Sequence, residues 1–194
     1  MKILQISRFV FSLILVWLLL VACSPDSGQV LGATIIPTDA VPILQSGQVR
    51  QWAAGAEAST EFADPEWAAI QATDAPNTTR CGDYQTAWAS AGSDTVDTLV
   101  LTYTLSVHVT GINIVQSFNP NQVSKVELLG VFDRPTSVYD AQPNQVDQPC
   151  PYILSIPVEK TDTQFNKIRI TVDQSILGLG WNQIDAVEFV GDLE

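Results

Sequence analysis

The sequence predicts an all-β domain, a sandwich or a barrel, and three observations lead there. Leu99, Leu101, Tyr103 and Leu105 alternate with Thr98, Val100, Thr102 and Thr104, which is the period of a strand with one buried face. Lys167-Ile168-Arg169-Ile170-Thr171-Val172-Asp173 repeats the pattern, with charge on the outer side. Between such segments stand Pro, Asn, Asp and Gly with almost no helical spacing, and many short strands joined by turns build sandwiches or barrels. The remaining elements follow in the same way. Ile112 and Ile114 resume after Gly111 with shifted parity, so Gly111 is expected in a turn or bulge. Val126 and Leu128 alternate with Lys125 and Glu127, and Ile184, Val187, Phe189 and Val190 mark a last strand. Pro65 to Ala72 leaves room for one short helical turn.

The chain has 194 residues, 9 basic against 21 acidic, for a net charge of −12. Its Lys and Arg are scattered, which argues against a nucleic-acid partner, since phosphate contacts need clustered cations. With one His and three Cys, a Cys/His zinc site lacks ligands.

The N-terminal segment explains much of the apolar content. Lys2 and Arg8 precede an apolar run from Phe9 to Ala22 broken only by Ser12, the charged and apolar regions of an export signal. The run is shorter than the roughly 20 residues that span a bilayer core. Leu20-Val21-Ala22-Cys23 then resembles the bacterial lipobox, in which cleavage leaves a lipidated Cys at the new N-terminus. The resemblance implies a signal peptide over 1–22, lipidation of Cys23, and a lipoprotein anchored to a bacterial membrane and facing away from the cytoplasm; the alternative is an uncleaved anchor with a chance Cys. Loss of residues 1–22 removes Lys2 and Arg8 and no acid, so the charge would move from −12 to −14.

Two cysteines remain, Cys81 and Cys150, the even number a disulfide requires in an exported chain. Residues 23–48 are rich in Ser, Pro, Gly, Thr and Asp without strand or helix periodicity, a flexible tether that spans roughly 27 Å as a coil. From residue 49 to 194 no second linker or repeat interrupts the chain, and one domain is expected.

The order of segments is similar to that of discoidin (coagulation factor 5/8 type C) domains. It runs Ala56-Glu57-Ala58-Ser59-Thr60-Glu61-Phe62, then Trp67 to Thr73, Ala75-Pro76-Asn77-Thr78, Trp88-Ala89-Ser90, the strand around Leu99 to Tyr103, Val109 to Ile114, Phe165 to Val172 and Ile184 to Gly191. Cys81-Gly82-Asp83-Tyr84-Gln85-Thr86-Ala87-Trp88-Ala89-Ser90 and Phe118-Asn119-Pro120-Asn121-Gln122-Val123 resemble the branch of bacterial surface lipoproteins and pappalysin-type discoidin-like regions. Ala75, Phe118 and Asn121 depart from that pattern, where Gly, Tyr and Gly are usual. The resemblance implies a galactose-binding-like jelly-roll β-sandwich, not galactose binding itself.

No enzyme is expected. His108 is the sole imidazole and sits between Val107 and Val109 on a strand, and the usual nucleophile, zinc-protease and phosphate-loop motifs are absent. No cofactor is required. The resemblance implies a structural calcium ion, with Asp74, Asn77, Thr78 and Glu188 in the matching positions; the alternative is that Asp74 caps a turn and Glu188 faces solvent. Ligands of such folds meet loops at one end, which makes Trp67, Tyr84, Phe118, Tyr139 and Trp181 the candidate rings. Arg80, Asp83, Asn119 and Asn182 are the candidate polar partners; Trp88 is assigned to the core. The expected function is carbohydrate or envelope-glycan recognition. The alternative is a protein-interaction or structural module of the cell envelope. A concave, aromatic-rimmed loop end favours the first, and a flat polar end with buried Trp67 and Trp181 the second.

Overall fold

The computed structural model describes residues 47–147 and 150–194, so the signal segment, Cys23 and all but the end of the tether lie outside the described residues. Eight strands are found in them: β1 Gln48–Trp52, β2 Gly55–Ala58, β3 Val96–Phe118, β4 Val123–Leu129, β5 Pro135–Asp140, β6 Tyr152–Pro157, β7 Gln164–Asp173 and β8 Gln183–Asp192. All pairings are antiparallel. The strand order is β1-β8-β3-β7-β4-β5, with β2 and β6 also on β3. The fold is a galactose-binding-like jelly-roll sandwich.

The 23-residue β3 belongs to both layers. Its first part, Val96 to Thr102, pairs with β2 and β7; its last part, Gly111 to Phe118, pairs with β6 and β8. Register shifts between Thr102 and Val107 and between Val109 and Gly111 mark the corner where it passes from one layer to the other. Gly111 therefore sits at a bulge inside one long strand. Leu99 and Leu101 from one arm and Ile112 and Ile114 from the other are buried in a common core with Ile168, Ile170, Val187 and Phe189. Tyr103 stacks on Phe189 at 4.4 Å between ring centroids, which closes the core near the corner.

The two ends of β3 come back together. Gln174 N donates to Thr95 O at 3.0 Å, Asn182 N donates to Gln174 Oε1 at 2.7 Å, and Asn182 Nδ2 donates to Gln116 Oε1 at 2.9 Å. This chain of bonds sets the start of β3, the end of β7, the start of β8 and the end of β3 at one end of the sandwich. The connections 59–95, 119–122 and 174–182 lie there, with residues 141–147 and 150–151. The termini of the domain lie at the other end, where Gln48 opposes Asp192.

The predicted strands appear where alternation was strongest, and the helical turn is a 3-10 turn, Ala69–Ala72. The structure adds β1, β5 and β6; β5 and β6 lie at the margins of their layers, β6 with alternate residues in solvent and β5 with Pro135, Thr136 and Ser137 exposed in a row. It also gives the half-exposed His108 a plain structural role: its Nδ1–H donates to the Thr161 carbonyl at 2.6 Å.

Candidate functional site

Three loop segments build a cavity at the loop end. The chain from Ser59 leaves β2 and is fastened at once, because Ser59, Thr60 and Thr95 donate hydroxyl bonds to Asp97 at 2.8, 2.6 and 2.5 Å. Burial opposes a charge on Asp97, yet these hydroxyls hold its carboxyl below the usual carboxylate range. Phe62 N then donates to Ala89 O at 2.8 Å, and Trp67 is held from both sides, its N on Gln85 O and its O on Ala89 N. Trp67 adopts a left-handed backbone with φ 55°, which aims the indole across the loop end instead of into the core. Below it Trp88 is buried, bridging Ile184 through both backbone groups and donating Nε1 to Thr60 O at 3.2 Å.

The wall facing these loops comes from the connection between β7 and β8. Asn119 donates to Leu179 O at 2.7 Å and to Trp181 O at 3.1 Å, and Gln122 donates to Gly180 O at 2.9 Å. Trp181 is thereby fixed half-exposed, with its Nε1 on Ser90 O at 3.1 Å. Phe62, itself 49% exposed, stands edge-on to both indoles, 5.2 Å from Trp67 and 5.5 Å from Trp181. Phe62, Trp67, Asp83, Ala89, Trp181 and Gln183 line a small cavity of about 40 Å³. Asp83 Oδ1 receives Trp67 Nε1 at 2.8 Å and Gln183 Nε2 at 2.6 Å. Gln183 Oε1 in turn accepts the backbone N–H of Tyr84 at 2.9 Å.

The segment bearing Asp83 is tied down covalently. Cys81 and Cys150 form a disulfide with a Cα–Cα distance of 4.9 Å, joining the connection before β3 to the one before β6. Closing a loop of 69 residues restricts the unfolded chain, worth on the order of 4 kcal/mol in the chain-entropy account.

Of the predicted ligand residues, the structure brings Trp67, Asp83 and Trp181 around one cavity. Arg80 is exposed beside Cys81 and does not line it. Tyr84 and Phe118 are half-buried next to it. Three expectations need correction. Asn182 is 1% exposed and its amide is used on Gln116, Phe118 and Asn119, so it shapes the loop from within. Asn119 likewise clamps the Trp181 loop. Tyr139 lies on β5 opposite Val126 and packs on the core, where burial first and Tyr152 second raise its hydroxyl pKa. Phe62 and Gln183 complete the cavity and were not singled out from the sequence. Phe62 is one apolar residue in a polar loop, and Gln183 carries no composition signal at all.

The predicted calcium ligands do not converge. Glu188 Oε1 and Oε2 accept Arg50 at 2.9 and 2.6 Å, and Oε2 also accepts Asn113 at 2.8 Å. The same pairing, through the hydrogen bond first, raises the Arg50 pKa. The carboxylate that meets the loop is Asp185, 1% exposed, whose Oδ2 accepts both the N–H and the hydroxyl of Thr78 at 3.1 and 2.6 Å. Asp74 and Asn77 stay exposed. Asp185 Oδ1 is buried without a partner among the described residues. Among the described residues no group of three or more His, Cys, Asp or Glu could hold a metal ion.

Sandwich topology, a disulfide-tied loop end and a small aromatic cavity define the class: a galactose-binding-like β-sandwich module. Within it, residues 43–194 match the family model described as Pappalysin-1, SD scarf domain, C-terminal, and the chain belongs to that family. Similar solved structures include chitosan-binding module 1 of a chitosanase/glucanase from Paenibacillus sp. IK-5. It has a TM-score of 0.52 and 16% identity, with 70% of this chain and 92% of that chain covered. Module 2 of the same enzyme, in complex with chitotriose, gives 0.51 and 12%, with 68% and 94% covered. The Clostridium perfringens module CpGH89CBM32-4, in complex with GlcNAc-alpha-1,4-galactose, gives 0.52 and 15%, with 82% and 100% covered. At these identities the likeness is one of fold. In a search by sequence, no curated protein matches the chain.

Proposed function

We propose that the chain is a non-catalytic carbohydrate-recognition module of a bacterial surface lipoprotein. The observation that carries the recognition step is the loop-end cavity, where Phe62, Trp67 and Trp181 surround Asp83. Aromatic rings offer an apolar face to the C–H side of a sugar, while a fixed carboxylate accepts bonds from its hydroxyls. The half-exposed state of both Trp67 and Trp181 supports this reading over a flat polar end. The solved complexes of similar modules with chitotriose and with GlcNAc-alpha-1,4-galactose lend it chemical precedent. The anchoring part of the reading rests on Leu20-Val21-Ala22-Cys23 and on the basic and apolar residues before it. It makes the protein an extracytoplasmic, lipid-held module whose partners are a membrane and a glycan.

A glycan array probed with the full chain, followed by calorimetry on the hits, tests recognition. Binding that is lost in Trp181→Ala supports the reading, and no binding in either format overturns it. Membrane fractionation of Cys23→Ala tests anchoring: release supports the lipid, and full retention overturns it.

One observation favours the second reading, a protein-interaction module. Val131 and Phe132, 77% and 91% exposed, stand at the tip of the β4–β5 hairpin, far from the cavity. Adjacent apolar side chains in solvent are a feature of protein-binding sites. Loss of a co-purifying protein in Val131→Ser/Phe132→Ser, with glycan binding unchanged, would identify that surface.

A further inference from the structure

The cavity that serves the proposed carbohydrate reading has features that select one kind of sugar, and the following inference rests on that reading. Its volume, about 40 Å³, is too small for a sugar ring and holds a group of a few heavy atoms. Its walls are three aromatic side chains set edge to face around Phe62. Asp83 forms part of the lining, and the two bonds it accepts both fall on Oδ1. Its Oδ2 has no hydrogen-bond partner among the described residues. Asp83 is exposed, so Oδ2 is open to a ligand, and since a carboxylate only accepts hydrogen bonds the ligand group that meets it must donate. Aromatic walls with one carboxylate attract a small cation, through ring quadrupoles and charge together.

The surrounding loops reinforce the sign. The segment 59–68, which supplies Phe62 and Trp67, carries Glu61, Asp64 and Glu66 and no Lys or Arg. The segment 79–95 adds Asp83 and Asp94 against the single Arg80, and 174–182 is uncharged. The loop end is therefore acidic by composition, which draws cations and repels uronates and sulfated sugars.

We infer that the cavity is an ammonium pocket: it takes the protonated amine of an amino sugar, with Asp83 Oδ2 as acceptor and Phe62, Trp67 and Trp181 as walls. The remainder of the sugar then lies over the exposed faces of the same rings. An acetylated nitrogen carries no charge and should be discriminated against.

The test is calorimetry on the full chain in detergent at slightly acid pH, where an aliphatic amine holds its proton. Glucosamine trimer is compared with N-acetylglucosamine trimer. The amine form is expected to bind about tenfold more tightly, within the range of a cation–aromatic contact plus a charge-assisted bond. Asp83→Asn, which keeps an acceptor for Trp67 and Gln183, should erase most of that preference while the fold survives. Equal affinity for the two trimers, or tighter binding of the acetylated one, overturns the ammonium pocket and leaves carbohydrate recognition standing. If neither trimer binds, methylammonium, a small cation that donates N–H bonds, is titrated while the indole N–H signals of Trp67 and Trp181 are followed by NMR. Saturable shifts that vanish in Asp83→Asn support the pocket, and their absence overturns it.

Discussion

Trp67 Nε1 donates to Asp83 Oδ1 at 2.8 Å, linking two surface segments at a place where neither residue supports the core. The bond turns a left-handed, half-exposed tryptophan into a fixed wall of the cavity. Trp67→Phe keeps a ring and deletes the donor. Affinity for a bound glycan should fall by about 1.5 kcal/mol, roughly tenfold, while stability changes by less than about 1 kcal/mol. Calorimetry and urea unfolding of the same preparation separate the two effects.

The disulfide is expected to dominate the stability of the loop end. Cys81→Ala/Cys150→Ala should lower the unfolding free energy by on the order of 4 kcal/mol. Reduction of the native chain should reproduce the loss in urea titrations. A loss under about 1 kcal/mol would mean that the connection 79–95 is held by its hydrogen bonds alone.

Acid should destabilise the fold through Asp97 and Glu127, whose carboxyls keep their charge to lower pH in the folded chain than in the unfolded one. Hydroxyl bonds depress Asp97 against the opposing effect of burial; Lys125 depresses Glu127 most, with Arg169 helping, again against burial. A depressed carboxyl contributes stability above its unfolded pKa and loses it as pH falls through the folded one. Melting temperature is therefore expected to hold from neutrality to about pH 5 and to drop below about pH 4. In Asp97→Ala the neutral-pH value should be lower and the acid drop shallower.

Thr78 and Asp185 make a buried bond through Oδ2 alone, with Asp185 Oδ1 left without a partner among the described residues. Thr78→Val is expected to cost about 1–3 kcal/mol, since Asp185 Oδ2 loses a hydroxyl inside the protein. A chelator should leave the melting transition of the native chain unchanged; a downward shift restored by calcium would overturn that expectation.

Phe132 occupies a left-handed backbone at φ 60° with its side chain in solvent. Phe132→Gly relieves the strain and forfeits no packing, so a stability gain of about 0.5 kcal/mol is expected in urea titration. Equal or lower stability would show that the ring packs in solution.

How much could be read in advance follows from burial. β7 and the first arm of β3 pack one face inward and expose the other, so Ile168, Ile170, Leu99 and Leu101 announce them. β5 and β6 lie at the margins, with Thr136 and Ile153 in solvent, and their patterns are diluted. Trp67, Asp83 and Trp181 were legible as residue types suited to a ligand. Their meeting with Phe62 and Gln183 was not, because it depends on the return of β3 beside its own start. Glu188 and Asp185 show the same limit. Neighbouring acids in one strand point to opposite faces, and only pairing decides which one reaches the loop.

Gln48 opposes Asp192, so the two ends of the domain emerge side by side at the pole away from the aromatic cavity. Such a unit behaves like a plug with both leads on one side. It can be spliced between other polypeptide segments, or strung in series with copies of itself, without any lead crossing the aromatic cavity. Several such units on one chain would present their cavities together and gain by avidity what a pocket this small lacks singly.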